Sequence, residues 1–240
     1  MSICQIYNET ISDLLAPNQV SLKIGQDQQG TFYVKGLRQK EVQRPKQVFK
    51  LIQQANKART SHSTSMNEAS SRSHLILTIT VNKIDERDGS VVSSKMNLVD
   101  LAGSERVKDS QVSGQQLKEA GYINKSLYTL AGVVDALQQG KAFKGKINYR
   151  DSKLTQLLKD SLGGNCMTSL LAMISPSQVF CNETTNTLNF AQSCSKIENV
   201  VKPNKYRNSI PASITIKKKP VAKVDLPWDK KQKVVCQEVI

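Results

Sequence analysis

The chain has 240 residues and a formal net charge of +14, from 34 Lys and Arg against 20 Asp and Glu. Hydrophobic residues make up 38%, enough for a substantial core, and wholesale disorder is excluded on that ground. The longest apolar run, Leu170 to Ile174, is five residues and cannot cross a membrane as a helix.

The amino-terminal Met1-Ser2-Ile3-Cys4-Gln5 carries neither the charged start nor the apolar stretch of a signal peptide. Five cysteines (Cys4, Cys166, Cys181, Cys194, Cys236) form no CxxC pair, which argues against a zinc site or disulfide framework and for a reducing cytosol. The basic excess asks for an acidic partner: nucleic acid, anionic lipid or an acidic protein surface.

In chain order, Gln5 to Leu15 reads as a strand and then a turn, with Pro17-Asn18 as the break. After Pro45, a favourable first helical residue, Val48, Leu51, Ile52 and Ala55 repeat at helical spacing. Leu75, Leu77, Ile79 and Val81 alternate as a strand, Asp88-Gly89 suits a hairpin turn, and Lys95 to Leu101 makes a second strand. Ile123, Leu127, Leu130, Val134 and Leu137 trace one helix face. Leu154, Leu157, Leu158 and Leu162 trace another, ended by Gly163-Gly164. Thr168 to Ile174 is an apolar strand stopped at Pro176, and Thr184 to Ile197 is the last predicted helix. Helices between apolar strands predict an α/β layered sheet over residues 1–199.

Residues 200–240 differ in kind. They hold ten basic and three acidic residues and four of the seven prolines. With no sustained helical or strand period, they read as a mobile basic tail. Lys217-Lys218-Lys219-Pro220 is compatible with a nuclear-import signal or with an ordinary solvated run.

Two segments carry chemistry. Asn67-Glu68-Ala69-Ser70-Ser71-Arg72-Ser73-His74 lies just before a predicted strand, and its hydroxyls suit a magnesium ion or a held water. In Asn97-Leu98-Val99-Asp100-Leu101-Ala102-Gly103-Ser104-Glu105, an apolar strand delivers Asp100 at its carboxyl end, where open α/β sheets bind ligands. The small Ala102 and Gly103 let backbone N–H groups come close to a phosphate. Strand, Asp, two residues and Gly is the arrangement by which P-loop nucleotide hydrolases hold magnesium and sense the γ-phosphate.

Taken together and in this order, these segments resemble switch I and switch II of the kinesin motor domain family. Gln5-Ile6-Tyr7-Asn8-Glu9, Asn124-Lys125-Ser126-Leu127, Tyr149-Arg150-Asp151-Ser152-Lys153-Leu154-Thr155, Asp160-Ser161-Leu162-Gly163-Gly164-Asn165 and Thr187-Leu188-Asn189-Phe190-Ala191 are similar to further family signatures. Ala131 stands where the family usually has glycine, a mild change that favours helix. The resemblance implies a three-layer, P-loop-NTPase-like sheet with helices on both faces and its amino-terminal strands missing.

It also implies roles. Ser70 and Ser71 surround Mg²⁺ and the attacking water, Asp100 holds Mg²⁺ through water, and the Gly103 N–H senses the γ-phosphate of ATP. Arg72 and Glu105 close the site as an ion pair, while Asn67 and His74 support the loop; His74 suits a structural part equally well, and His62 reads as a surface residue. Lys118, Lys125, Lys141, Lys144, Lys146, Arg150 and Lys153 form the face that docks on tubulin in the family. Ile197 to Asn204 falls where amino-terminal-motor kinesins carry the neck linker. The implied setting is the cytoplasm, on microtubules. Nucleic acid is a weaker fit, because the aromatic interleaving used for stacking is thin around the loop after the helix traced by Ile123 to Leu137, with Phe143 and Tyr149 as its members.

The Walker A pattern, G-x-x-x-x-G-K-[ST], does not occur in the 240 residues. The near-match Gly140 to Ile147 follows a helix, and Ile147 lacks the metal-binding hydroxyl. The family places the loop before Tyr7-Asn8-Glu9, on a strand between those resembling Lys95–Asp100 and Thr168–Ile174. Bare edges on those two strands, no ATP hydrolysis and poor autonomous folding are therefore expected of these 240 residues. The alternative is a nucleotide-independent tubulin-binding module.

Overall fold

The computed structural model describes residues 1–16, 21–61, 72–85, 90–104, 115–139, 147–207, 232–233 and 235–239. Its largest sheet starts from two strands joined by a two-residue turn: β1 (Ser2–Tyr7) and β2 (Thr10–Asp13). The turn residues Asn8 and Glu9 have φ of 48° and 55°. This left-handed pair suits the twist of a tight hairpin but is costly for a non-glycine residue such as Glu9. The segment read as one strand and a turn is thus a hairpin reversing at Asn8-Glu9; Pro17-Asn18 lies outside the described residues.

β3 (Ile24–Gln26) and β4 (Phe32–Val34) form a small hairpin that the sequence reading passed over. Helix α1 (Pro45–Ser61) starts at Pro45 as predicted. β5 (His74–Ile84) and β6 (Ser90–Asp100) are long antiparallel partners in register from Leu75↔Asp100 to Ile84↔Val91. β9 (Lys205–Arg207) adds to the start of β6, giving the order β2-β1-β5-β6-β9. Helix α2 (Gln115–Gln138) follows β6 and runs unbroken through Ala131.

The helix predicted from Leu154 to Leu162 is shorter, α3 (Lys153–Leu157), with the chain turning tightly through Leu162. Next come β7 (Ser169–Met173), α4 (Cys181–Ser195) and the short β8 (Glu198–Asn199).

Parts of residues 200–240 form strands. Besides β9, β10 (Gln232–Lys233) pairs with β8, and β11 (Val235–Val239) pairs in parallel with the whole of β7. Valines at both ends of β11 supply strand propensity that the charge count of the region concealed. The bare edge expected on β7 is therefore occupied on one side by the chain's own carboxy-terminal segment.

Adjacent strand residues face opposite ways, and this divides the core in two. Cys4, Ile6 and Ile76 pack with Leu130, Val133, Val134 and Leu137 of α2, Leu154 of α3 and Cys194 of α4. Ile3 and Leu77, one residue out of phase, pack with Leu14, Leu15 and Ala55, and Val48, Leu51 and Ile52 of α1 lie against them. Helices cover both faces, as the fold class predicted. The Cys4 thiol, buried beside Asp13, has its pKa pushed up to about 12, mainly by burial, and stays protonated.

Gly163 ends the turn after α3 with φ of 81°, and a Cβ there would lie 2.6 Å from Leu137 Cδ2. Gly163→Ala should therefore cost stability twice, through the left-handed backbone and through displacement of a core leucine. We expect a loss of about 1–3 kcal/mol by urea unfolding. Parental stability in that variant would show that α2 yields freely at this point.

Candidate functional site

The antiparallel register of β5 and β6 brings the ends of both sequence motifs to one corner of the sheet. Leu75 pairs with Asp100, so His74, at the start of β5, lies beside the chain leaving β6. Asp100 is the last residue of β6, with its side chain 65% exposed. Ala102 and Ser73 are buried.

Helix α1 supplies the residue that the sequence did not disclose. Arg59, in its last turn, is 7% exposed. Its Nη1 donates to Asp100 Oδ2 at 3.2 Å, its Nε to Ser73 Oγ at 3.2 Å and its Nη2 to the Ser73 carbonyl at 2.7 Å. One planar guanidinium thus clamps the end of the first motif to the aspartate of the second. In sequence Arg59 is one basic residue among several on a helix. Only its position opposite Ser73 and Asp100 distinguishes it.

His74 makes the second link. Its Nδ1 accepts the Ala102 N–H at 2.9 Å, and its Nε2 is 2.8 Å from Ser126 Oγ on α2. Burial lowers its pKa to about 4, with Asp100 opposing and Arg59 reinforcing the shift, so the ring is neutral at physiological pH.

Asp100, with a hard oxygen donor open to solvent at a strand end, fits magnesium held through water. Gly103 stands three residues on, with no side chain to keep a phosphate away. Asn67, Ser70, Ser71 and Glu105, and with Glu105 the expected pairing to Arg72, lie outside the described residues. The structure thus brings together Asp100, Ala102, Gly103, Ser73 and His74, and adds Arg59 and Ser126.

The basic face is described in part. Lys125 is exposed on α2, next to an exposed Tyr128. Lys118 lies in the same helix, where only the backbone is described, and Lys141, Lys144 and Lys146 lie outside the described residues. The near-match to a phosphate loop falls there too, except Ile147, which packs against the core.

Arg150 is exposed, and its Nη2 donates to Gln26 Oε1 at 3.1 Å. Lys153 begins α3, where its N–H donates to Glu9 Oε2 at 2.8 Å and the Ser152 hydroxyl donates to Glu9 Oε1 at 2.9 Å. The carboxylate at the strained β1–β2 turn therefore holds the amino terminus of α3, and two distant sequence signatures prove to be one joint.

Comparison with known proteins agrees with this architecture. The kinesin motor domain family model matches residues 1–197. The kinesin heavy chain of Neurospora crassa is 43% identical over 204 residues, covering 85% of this chain and 22% of that protein. Human kinesin-like protein KIF19 is 41% identical over 207 residues, covering 85% of this chain and 21% of its own length. A solved structure described as a fast kinesin superposes with a TM-score of 0.73 at 39% identity, over 89% of this chain and 59% of that one. The chain belongs to the kinesin motor domain family. It spans about a fifth of the length of the curated relatives it matches. Among the described residues no helix is long and apolar enough to cross a membrane.

Proposed function

We propose that this chain is the switch and filament-docking part of a motor that couples Mg-ATP hydrolysis to binding and movement along microtubules. The observation that carries the reading is the sheet corner where Arg59 clamps Ser73 to Asp100 while His74 holds Ala102, next to Gly103. That construction suits a γ-phosphate-sensing loop: a strand end, an exposed carboxylate able to hold a metal and a small-residue turn tied to helix α2. When bound, magnesium would neutralise phosphate charge. Asp100 would hold it through water, with Ser70 and Ser71 completing its shell; Gly103 N–H would meet the γ-phosphate, and the Arg72–Glu105 pair would organise the lytic water. The Walker A pattern that would cradle the remaining phosphates does not occur in the 240 residues. The chemistry belongs to a motor in which that segment is present.

Docking falls to the basic face: Lys118, Lys125, Lys141, Lys144, Lys146, Arg150 and Lys153 against the acidic surface of tubulin. Co-sedimentation with microtubules should weaken steeply with salt, and Lys141, Lys144 and Lys146 changed together to glutamate should abolish most of it. Unchanged binding in the triple variant, with release on removing residues 208–240, would refute the assigned face.

The switch assignment is tested in a motor completed with a Walker A segment. Gly103→Ala should leave nucleotide binding intact and lower microtubule-stimulated hydrolysis more than tenfold, at least ~1.4 kcal/mol of barrier. Near-normal turnover would remove Gly103 from this role.

A further inference from the structure

Three elements meet at His74, which is 3% exposed. Because its Nδ1 accepts the Ala102 N–H, the ring proton is on Nε2 and is donated to Ser126 Oγ, on a serine also 3% exposed. The two ring nitrogens are a fixed distance apart, so the imidazole is a strut rather than a tether. A displacement at one end is followed at the other, or a buried hydrogen bond is broken.

The rest of the described α2 face is held differently. Leu130, Val133, Val134 and Leu137 make apolar contacts, which are non-directional and tolerate sliding. The His74 strut is directional, and it reaches the helix one turn before Leu130. Its other end holds the N–H of Ala102, the residue before Gly103.

We propose that His74 is a positioning residue that couples the Ala102–Gly103 turn to helix α2, so that movement of either is imposed on the other. Its use in a motor cycle rests on the function proposed above; the coupling itself does not. In an intact motor the phosphate-sensing turn would pull through this ring on the helix that carries Lys125 and the exposed Tyr128.

The test uses the full 240-residue chain and hydrogen–deuterium exchange. Ser126→Ala removes the acceptor on α2 and leaves both partners of the Ala102 bond unaltered. The expected result is exchange of the Ala102 amide about tenfold faster or more, alongside faster exchange in the first half of α2. Ser126→Thr, which keeps the hydroxyl, should return both to parental rates. Faster exchange confined to α2, with Ala102 as protected as before, would overturn the proposal. Ring ¹⁵N shifts supply a second reading: the Nε2–H tautomer is expected in the parent, and the Nδ1–H tautomer would refute the strut. These measurements need no microtubules. A parent chain that fails to pellet with them would count against the motor reading and leave the coupling to be decided by exchange.

Discussion

Asn199→Ala should be among the most damaging single substitutions in the chain. Asn199 is 1% exposed, and its amide stitches the turn after α3 to the segment leaving α4. Its Oδ1 accepts the Gly163 N–H at 2.7 Å, while Nδ2 lies 3.0 Å from the Ser161 carbonyl, 2.8 Å from the Cys166 carbonyl and 3.2 Å from Thr168 Oγ1. Alanine leaves the Gly163 N–H and the Cys166 carbonyl without this partner, while the Ser161 carbonyl keeps the Thr168 hydroxyl at 2.6 Å. At about 1–3 kcal/mol for each of these two partly buried groups, the total should reach ~2–4 kcal/mol. That is a large fraction of a net stability of ~5–15 kcal/mol. Calorimetry should show Tm lower by roughly 4–16 °C, at about 2–4 °C per kcal/mol for a chain of this size. A fall of only a degree or two would mean that the turn reorganises and the amide is dispensable.

Acid sensitivity should centre on His74. Its folded pKa, about 4, lies below the ordinary value of 6.5, because burial outweighs the attraction of Asp100 and Arg59 adds repulsion. The unfolded chain therefore binds the proton more readily. The contribution of neutral His74 is complete above pH 6.5, shrinks as pH falls and is exhausted near pH 4. Over that interval the native state should lose about 3 kcal/mol relative to the unfolded chain, from this group alone. Carboxylates titrate in the same range, so the difference between parent and His74→Gln isolates the effect. Urea unfolding from pH 4.5 to 8 should show the parent gaining stability up to about pH 6.5 and the variant gaining less. Equal slopes in the two proteins would show that His74 does not titrate against the fold. The same protonation would remove the acceptor for the Ala102 N–H, so the sheet corner should loosen before global unfolding.

Much of this protein could be read from local pattern, because period and turn chemistry act over short stretches of chain. Helix α1 begins at the proline that predicted it, and the apolar spacing of α2 matches its buried face. The alternating residues of β5 and β6 form the longest strand pair. The motif carrying Asp100 and Gly103 was legible because strand, carboxylate and glycine follow one another along the chain. The family signatures were legible for the same reason.

What the tertiary structure decided are the joints between residues far apart in sequence. Arg59 is 41 residues from Asp100, Glu9 is 144 from Lys153, and His74 is 52 from Ser126. A buried polar group must find a partner wherever the fold brings one, and hydropathy carries no record of which partner that is. The carboxy-terminal segment makes the same point about charge. Its lysines and prolines suggested only a solvated tail, yet the backbone of Val235–Val239 pairs along all of β7. Strand pairing is satisfied by main-chain groups that every residue except proline carries in full, so an open sheet edge can take up a segment whose charge count conceals its strand-forming valines.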